Sequence, residues 1–179
     1  MNVIETALPG VIILEPNVFG DARGFFIESF QLERYREAGI DLPFVQDNQS
    51  RSTKGVLRGL HFQRYAPQGK LVRVSRGSVW DVAVDVDPRS RTFGQHVGVE
   101  LNDENHRQLW VPPGYAHGFC VLSDVADFQY KCTDYYRPDD EGAILWSDPE
   151  LDIPWPVDTP LISEKDRNNP TLRQWVEGK

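Results

Sequence analysis

The sequence has few cysteines, no long apolar run and no excess of basic residues, and each shortage excludes a class of protein. Its two cysteines, Cys120 and Cys132, lack the spacing of metal ligands and are too few for a disulfide framework. We therefore expect reduced thiols and a cytoplasmic location. The apolar runs are far shorter than the roughly 20 residues that span a bilayer. We also expect no secretory signal, because the first residues show neither a basic region nor an apolar one.

The charge of the chain is predominantly acidic. There are 27 acidic and 19 basic residues, which gives a formal net charge of -8. Nucleic acids and anionic membranes are bound by basic faces, so we expect neither as a partner. A small anionic ligand would need a local cluster of basic side chains, which makes the positions of Arg23, Arg58, Lys70 and Arg73 informative.

Short strands with period-two patterning dominate the chain. Between positions 78 and 87, Trp80, Val82 and Val84 fall on one face, whereas Asp81 and Asp85 fall on the other. Similar runs predict about ten strands, with no glycine-rich phosphate loop and no internal repeat. This pattern is typical of an all-β sandwich or barrel. At 179 residues the chain fits one domain, which we predict over residues 1–179.

Two short helices complete the predicted elements. The first runs from Gln31 to Ala38 and is closed by Gly39, a residue suited to a left-handed cap. The second has Pro170 at its first position and runs to Val176. Both are too short to organise the fold, so we expect them at its periphery.

The stretch from Gly55 to Val74 carries the chemistry that first suggests a site. Two apolar, strand-like runs hold His61 at a polar position, with Arg58 and Lys70 as neighbouring cations. Histidine moves protons near neutral pH, and cations beside it favour any negative charge that develops on a substrate. We interpret this stretch as the floor of an active site.

A second motif lies downstream. The run from Pro112 to His117 has the pattern Pro-x-Gly-x-x-His, which resembles the second signature of the cupin jelly rolls. The first cupin signature would be His-x-His followed by Glu, but here Gln63 replaces the second histidine and Lys70 lies near the position of the glutamate. A divalent metal needs three or four converging N, O or S ligands, so we predict no metal. His61 and His117 are then either acid/base residues or hydrogen-bonded core histidines.

Over nearly its full length the chain resembles the dTDP-4-dehydrorhamnose 3,5-epimerases, a family of the cupin superfamily. The resemblance implies a cupin-type double-stranded β-helix, or jelly roll, with a few short peripheral helices, no cofactor and a homodimer. It also implies a role in supplying rhamnose for the bacterial cell surface. It rests on these separate blocks: residues 21–28, 46–48, 55–63, 69–74, 113–119, 130–136 and 163–166.

The resemblance further implies a mechanism. The substrate would be dTDP-4-dehydro-6-deoxy-D-glucose, whose C4 ketone acidifies the protons on C3 and C5. By similarity His61 is the base and Tyr130 is the acid that returns a proton to the opposite face. Lys70, helped by Arg58 and His117, would stabilise the enolate oxygen.

Asp166 has two interpretations. The residues alone favour a helix start, in which Ser163 caps a turn and Asp166 follows three positions later. The resemblance instead implies that Asp166 orients His61 and stabilises its protonated form.

The resemblance also implies a set of substrate contacts. Arg23 would bind phosphate, Glu28, Gln46 and Asn48 would bind thymidine, Tyr136 would stack on the thymine ring, and Phe26, Glu141 and Lys165 would add contacts. The pattern alone leaves non-functional interpretations open for four of these residues. Glu28 could be a charge facing water, Gln46 and Asn48 could be solvated loop amides, and Tyr136 could be a core aromatic. In this family the amino-terminal segment contributes to the site of a neighbouring subunit.

Three rival functions stay open. A relative on the same scaffold could invert only C3 or only C5, although Tyr130 favours proton return. A 3,4-ketoisomerase would move protons on one face of the sugar only. A non-catalytic sugar- or nucleotide-binding cupin would have no need of a His, Lys and Tyr set.

Overall fold

Antiparallel strands make up most of the regular secondary structure of the computed structural model, which describes residues 1–178. The strands and α-helices in chain order are β1 (Asn2–Glu5), β2 (Ile12–Glu15), β3 (Val18–Asp21), β4 (Gly24–Ile27), α1 (Leu32–Glu37), β5 (Gln46–Thr53), β6 (Leu57–Gln63), β7 (Lys70–Arg76), β8 (Ser78–Asp85), β9 (His96–Asn102), β10 (Gln108–Val111), β11 (Tyr115–Val121), β12 (Val125–Cys132), β13 (Glu141–Ala143), α2 (Glu164–Arg167) and α3 (Leu172–Glu177). Within these residues no helix has the length and apolar character needed to cross a membrane.

Two sheets form the jelly roll. The six-stranded sheet has the order β1-β2-β10-β7-β12-β5, and the five-stranded sheet has the order β13-β6-β11-β8-β9. Strands β3 and β4 form a separate hairpin. The all-β jelly-roll prediction is confirmed, and it accounts for the period-two pattern, because each strand sends alternate side chains between the sheets.

The core between the two sheets contains alternate residues of the central strands. Val72 and Val74 of β7, Val79 and Ala83 of β8, and Phe128 of β12 are buried there. Asp81 lies between Val79 and Ala83 on the same face of β8, so it too points between the sheets. The space between the sheets is therefore apolar around these core residues and polar around Asp81.

Two further clusters cover the outer faces. Helix α1 places Tyr35 against the outside of the six-stranded sheet, where the tyrosine hydroxyl donates to Oε1 of Gln108 at 2.8 Å. The predicted end of α1 is confirmed, since Gly39 adopts a positive φ of 92° immediately after it. On the other sheet, α3 places Trp175 edge-on against Phe62, with ring centroids 5.0 Å apart.

Two predicted boundaries were wrong, and the count of helices was too low. Helix α3 begins after Thr171 rather than at Pro170, because Thr171 and Gln174 form a reciprocal capping box. Strand β12 ends at Cys132, although the strand-like run in the sequence continues to Tyr136. The structure also contains an α-helix beyond the two that were counted, the four-residue α2, which begins after Ser163 as the helix-start pattern there indicated.

Candidate active site

A cavity of about 440 Å³ lies between the two sheets and is bordered by residues from both. Strands β6 and β11 contribute one wall, and β7 and β12 contribute another. Helix α2 and the segment before it complete the border. The polar residues that line this cavity are Ser50, Arg58, His61, Lys70, His117, Tyr130, Ser163, Lys165 and Asp166.

His61 and Asp166 form a hydrogen-bonded pair in this cavity. Nε2 of His61 lies 2.6 Å from Oδ1 of Asp166. The histidine side chain is 30% exposed, whereas that of the aspartate is only 5% exposed. The ring can therefore meet a ligand while the carboxylate behind it stays shielded from water.

Helix α2 explains how Asp166 reaches this position. The Ser163 hydroxyl accepts from the backbone N–H of Asp166 at 3.0 Å, so the capping interpretation is correct. The Asp166 side chain meanwhile turns toward His61. Burial raises the pKa of Asp166, but the hydrogen bond and charge of His61, with the backbone N–H of Gly59, outweigh it and lower the pKa overall. The two interpretations of Asp166 are compatible, because one uses its backbone and the other its carboxylate.

Lys70 and Tyr130 lie on neighbouring strands with their side chains in the same cavity. Burial lowers the pKa of Lys70, and nearby negative charges, those of Asp81 and Glu141 among them, oppose that shift. Burial also raises the pKa of Tyr130, although the positive charge of Arg58 acts in the other direction. A tyrosine with a raised pKa keeps its proton near neutral pH and can donate it.

His117 faces His61 across the pairing of β11 with β6. Its Nε2 atom lies 2.9 and 3.0 Å from the two carboxylate oxygens of Asp81, a residue with no exposed surface. The sequence pattern placed Asp81 on the polar face of β8 but suggested no role for it. Arg58 completes this side of the cavity and donates from Nε to Oγ of Ser52 at 3.2 Å.

A second cavity of about 200 Å³ shares His61, Lys70 and Tyr130 with the first. Tyr136 and Glu141 line it, and the tyrosine hydroxyl donates to Oε2 of the glutamate at 2.9 Å. Because the two cavities meet at three shared side chains, one elongated ligand can occupy both.

Side-chain contacts hold the walls of this second cavity together. Nζ of Lys165 lies 2.5 Å from Oε2 of Glu141. Gln46 donates to Oδ1 of Asn48 at 3.1 Å and accepts from the backbone N–H of Tyr136 at 3.0 Å. Gln46 and Asn48 both line the cavity, so they are not loop amides facing bulk water. Tyr136 is 50% exposed and lies beyond the end of β12, so the alternative of a core aromatic is excluded.

Gln63, at the position of a cupin metal ligand, has a different role. It is buried, and its Nε2 donates to the carbonyl of Ala66 at 2.6 Å and to that of Tyr135 at 3.3 Å. Its Oε1 accepts from the backbone N–H of Arg137 at 2.7 Å. These bonds fix the segment that carries Tyr136. Among residues 1–178, no group of three or more His, Cys, Asp or Glu side chains is arranged to hold a metal ion.

Three of the expected substrate contacts lie outside the two cavities that contain His61. Arg23 is on the β3–β4 hairpin, with its side chain 90% exposed and paired to Asp21. Phe26, on the same hairpin, is 67% exposed. Glu28 follows the hairpin and pairs with Arg34 of α1 at 2.5 Å. The fold alone does not bring these residues to His61.

Fold and cavities together define the class of protein: a cupin-type jelly-roll enzyme with histidine, lysine and tyrosine in its cavity. Comparison with known families identifies the family. The chain belongs to the dTDP-4-dehydrorhamnose 3,5-epimerases, whose family model matches residues 5–174, and it is therefore a carbohydrate epimerase of the isomerase class.

Individual relatives support this assignment. The dTDP-4-dehydrorhamnose 3,5-epimerase of Shigella flexneri is 60% identical over 171 residues, which cover 94% of each chain. The crystal structure of the dTDP-6-deoxy-D-glucose-3,5-epimerase of Legionella pneumophila, in complex with dTDP-4-keto-L-rhamnose, is 56% identical. It aligns with a TM-score of 0.94 over 96% of this chain and 93% of its own. A dTDP-4-dehydrorhamnose 3-epimerase of Streptomyces niveus is 38% identical and covers 94% of this chain and 82% of its own.

Proposed function

We propose that the chain inverts both C3 and C5 of dTDP-4-dehydro-6-deoxy-D-glucose and so produces dTDP-4-dehydro-L-rhamnose. The observation that carries this proposal is the placement of His61 and Tyr130 on different sheets around one cavity. Inverting a carbon centre by proton transfer needs a base on one side of the ring and an acid on the other. A histidine and a tyrosine on separate walls meet that requirement.

The first half of the reaction uses the His61–Asp166 pair. Nδ1 of His61 removes the proton from C3 or C5, and the electrons of that C–H bond pass to the C4 carbonyl, which becomes an enolate. The histidine is then positively charged. The Asp166 carboxylate, 2.6 Å from its Nε2, stabilises that charge.

The second half returns a proton from the opposite face. Tyr130 donates its hydroxyl proton to the same carbon as the C4 carbonyl re-forms, and the centre is inverted. The tyrosinate recovers a proton through solvent and the histidine releases one, so no proton is gained or lost over the cycle. The raised pKa of Tyr130, caused first by its burial, favours the protonated starting form.

Lys70 stabilises the enolate between the two transfers. A cation that is already fixed in a shielded cavity lowers the energy of a developing oxyanion more than one in bulk water does. Arg58 and His117 line the same cavity and add positive charge or hydrogen-bond donors. The cavity around the enolate is thus electropositive although the protein as a whole is acidic.

The nucleotide end of the substrate lies in the second cavity. Tyr136 presents an exposed ring for stacking on the thymine base, and Gln46 with Asn48 offers amides to its polar edge. Glu141 accepts from the tyrosine hydroxyl and from Nζ of Lys165, and both residues contact the ligand at the junction of the two cavities.

The working enzyme is a homodimer that shares its sites. Phe19, Phe25 and Phe26 of the β3–β4 hairpin are each at least 60% exposed. Arg23 of the same hairpin is also exposed and lines neither of the two cavities that contain His61 in its own chain. In a two-fold dimer the hairpin of one subunit reaches the nucleotide end of the other, where Arg23 meets a phosphate and Phe26 meets the base. The cytoplasmic location expected from the free thiols stays a prediction.

An epimerase of one centre is the second candidate, because the Streptomyces niveus relative is a 3-epimerase at 38% identity. Incubation of the protein with dTDP-4-dehydro-6-deoxy-D-glucose in deuterated water separates the two, with proton NMR of the product as the readout. We expect deuterium and inversion at both C3 and C5. Exchange at one centre only would establish the narrower epimerase, and no exchange at either centre would refute both candidates. A product with its carbonyl at C3 would indicate a ketoisomerase.

A further inference from the structure

Asp81 is a fully buried carboxylate with a single side-chain hydrogen-bond partner in the described part of the chain. Both of its oxygens approach Nε2 of His117, at 2.9 and 3.0 Å. Its neighbours along β8, Val79 and Ala83, belong to the apolar core. Neither an arginine nor a backbone N–H donates to this carboxylate within residues 1–178.

Such an arrangement is costly for the fold by itself. A buried ionised carboxylate loses its hydration, and one hydrogen bond compensates for only part of that loss. An apolar side chain of similar size would fit the surroundings of Val79 and Ala83 without this penalty. A carboxylate at this position is therefore more easily explained by what it does to the cavity than by what it adds to stability.

The carboxylate acts on two groups of the cavity. Its oxygens fix the His117 ring through Nε2, and since an ionised carboxylate only accepts, that nitrogen carries the proton. Nδ1 is then the ring nitrogen left available to the cavity, and it donates to the substrate oxygen when the ring carries its second proton. The same negative charge opposes the effect of burial on Lys70, whose pKa is lowered first by desolvation.

We propose that Asp81 is a positioning residue for the enolate: its carboxylate orients His117 and supplies part of the negative charge that favours the protonated form of Lys70. The inference rests on the proposed function, in which both residues face the C4 oxygen. The charged and titratable groups around these two residues, from all elements packed against them, are Asp81, Glu141, Cys132, His61, Arg58, Tyr130, Tyr136, Lys165 and Asp166. Of these, Asp81 is the one that contacts His117 and also acts on Lys70.

Asp81→Asn is the direct test, because asparagine keeps the size and one acceptor while removing the charge. We expect kcat to fall by roughly 10²-fold with little change in KM, since the interaction acts on the transition state. The alkaline limb of the profile of kcat against pH should move to lower pH, because Lys70 loses the charge that held its proton. Unchanged kcat and an unchanged alkaline limb would overturn the proposal.

Asp148→Asn is the matched control. Asp148 is also buried, but its oxygens accept from the backbone N–H groups of Glu150 and Leu172, remote from the cavity. This variant should lose thermal stability and keep the wild-type pH profile. If it shifted the alkaline limb as Asp81→Asn does, the effect would be a general one of stability and the proposal would fail.

A second readout does not depend on turnover. In protein labelled with ¹³C-lysine, the side-chain signals of Lys70 report its protonation directly. We expect Lys70 to lose its proton at lower pH in Asp81→Asn than in the wild type. Equal titration in the two proteins would refute the role of Asp81. A wild type that lacks epimerase activity but shows the expected titration difference would refute the proposed function alone.

Discussion

The charge of Asp166 provides the sharpest test of the proposed mechanism. Asp166→Asn keeps the shape of the side chain, and it keeps the Ser163 cap, which uses the backbone N–H of residue 166. The amide oxygen can still accept a hydrogen bond from His61. The substitution therefore removes the negative charge behind the base and leaves helix α2 intact.

The size of the effect follows from the geometry. With Nε2 and Oδ1 at 2.6 Å, the centres of the two charges in the His61–Asp166 pair are about 4 Å apart once the histidine is protonated. At an effective dielectric constant of about 20 their attraction is about 4 kcal/mol. Each ~1.4 kcal/mol changes a rate tenfold, so kcat/KM should fall by roughly 10³-fold.

The assay is the formation of product followed by proton NMR, at several substrate concentrations, for wild type and Asp166→Asn. Thermal unfolding of both proteins verifies that the variant is folded. A decrease of less than tenfold would show that His61 needs only a hydrogen bond behind it. The reasoning from charge stabilisation would then be refuted.

The same carboxylate makes a pH-dependent contribution to stability. The pKa of Asp166 is lowered from 3.8 in the folded protein, so the folded state holds its proton less tightly than the unfolded chain does. The stabilisation is fully present above the unfolded value and is lost as pH falls through the lower folded value. The difference in free energy of unfolding between wild type and Asp166→Asn should therefore narrow in strong acid.

Four further variants, used in three experiments, test other parts of the site. Tyr130→Phe should retain deuterium exchange through His61 but lose inversion at one centre by roughly 10²-fold or more, measured by NMR of the product; full epimerisation would refute the acid assignment. Tyr136→Ala should raise KM several-fold and leave kcat nearly unchanged, because base stacking is equal in ground and transition states; a selective loss of kcat would contradict a binding role. Arg23→Ala and His61→Ala, each inactive alone, should recover about a quarter of wild-type activity when mixed and re-equilibrated, since half of random dimers then contain one intact site. No recovery in mixed dimers verified by mass spectrometry would argue against shared sites.

Local patterns in the sequence were sufficient to predict an all-β sandwich or barrel, and the resemblance to the cupins narrowed that prediction to a jelly roll. Alternation along β8 indicated correctly that Asp81 lies opposite Trp80, and the cationic neighbours of His61 indicated an active site. What the pattern could not give was pairing between distant segments. His61 and Asp166 are 105 positions apart in the sequence, and the fold brings them into contact. No periodicity or motif in either segment predicts that contact.

The two missed boundaries have different physical origins. Thr171 and Gln174 form a capping box whose two bonds outweigh the preference of Pro170 for the first helical turn, so α3 starts later than predicted. The residues after Cys132 alternate like a strand, but Gln63 binds the backbone of residues 135 and 137 and draws the chain into a loop. The first case depends on a local capping box, which the sequence could have indicated, whereas the second was decided by long-range hydrogen bonds, which short patterns omit.

His61 and His117 face each other across two paired strands, and each has its own buried carboxylate. Their different exposures explain how similar pairs serve different steps. The His61 side chain is 30% exposed and its carboxylate comes from α2, outside the sheets, so its ring can reach a C–H bond. The His117 side chain is 7% exposed and held by both oxygens of Asp81, which limits it to a fixed interaction with the substrate oxygen. A base must exchange its proton with solvent in every cycle, whereas a group that only donates a hydrogen bond to an enolate oxygen need not, and we infer from this difference in access that His61 rather than His117 is the base.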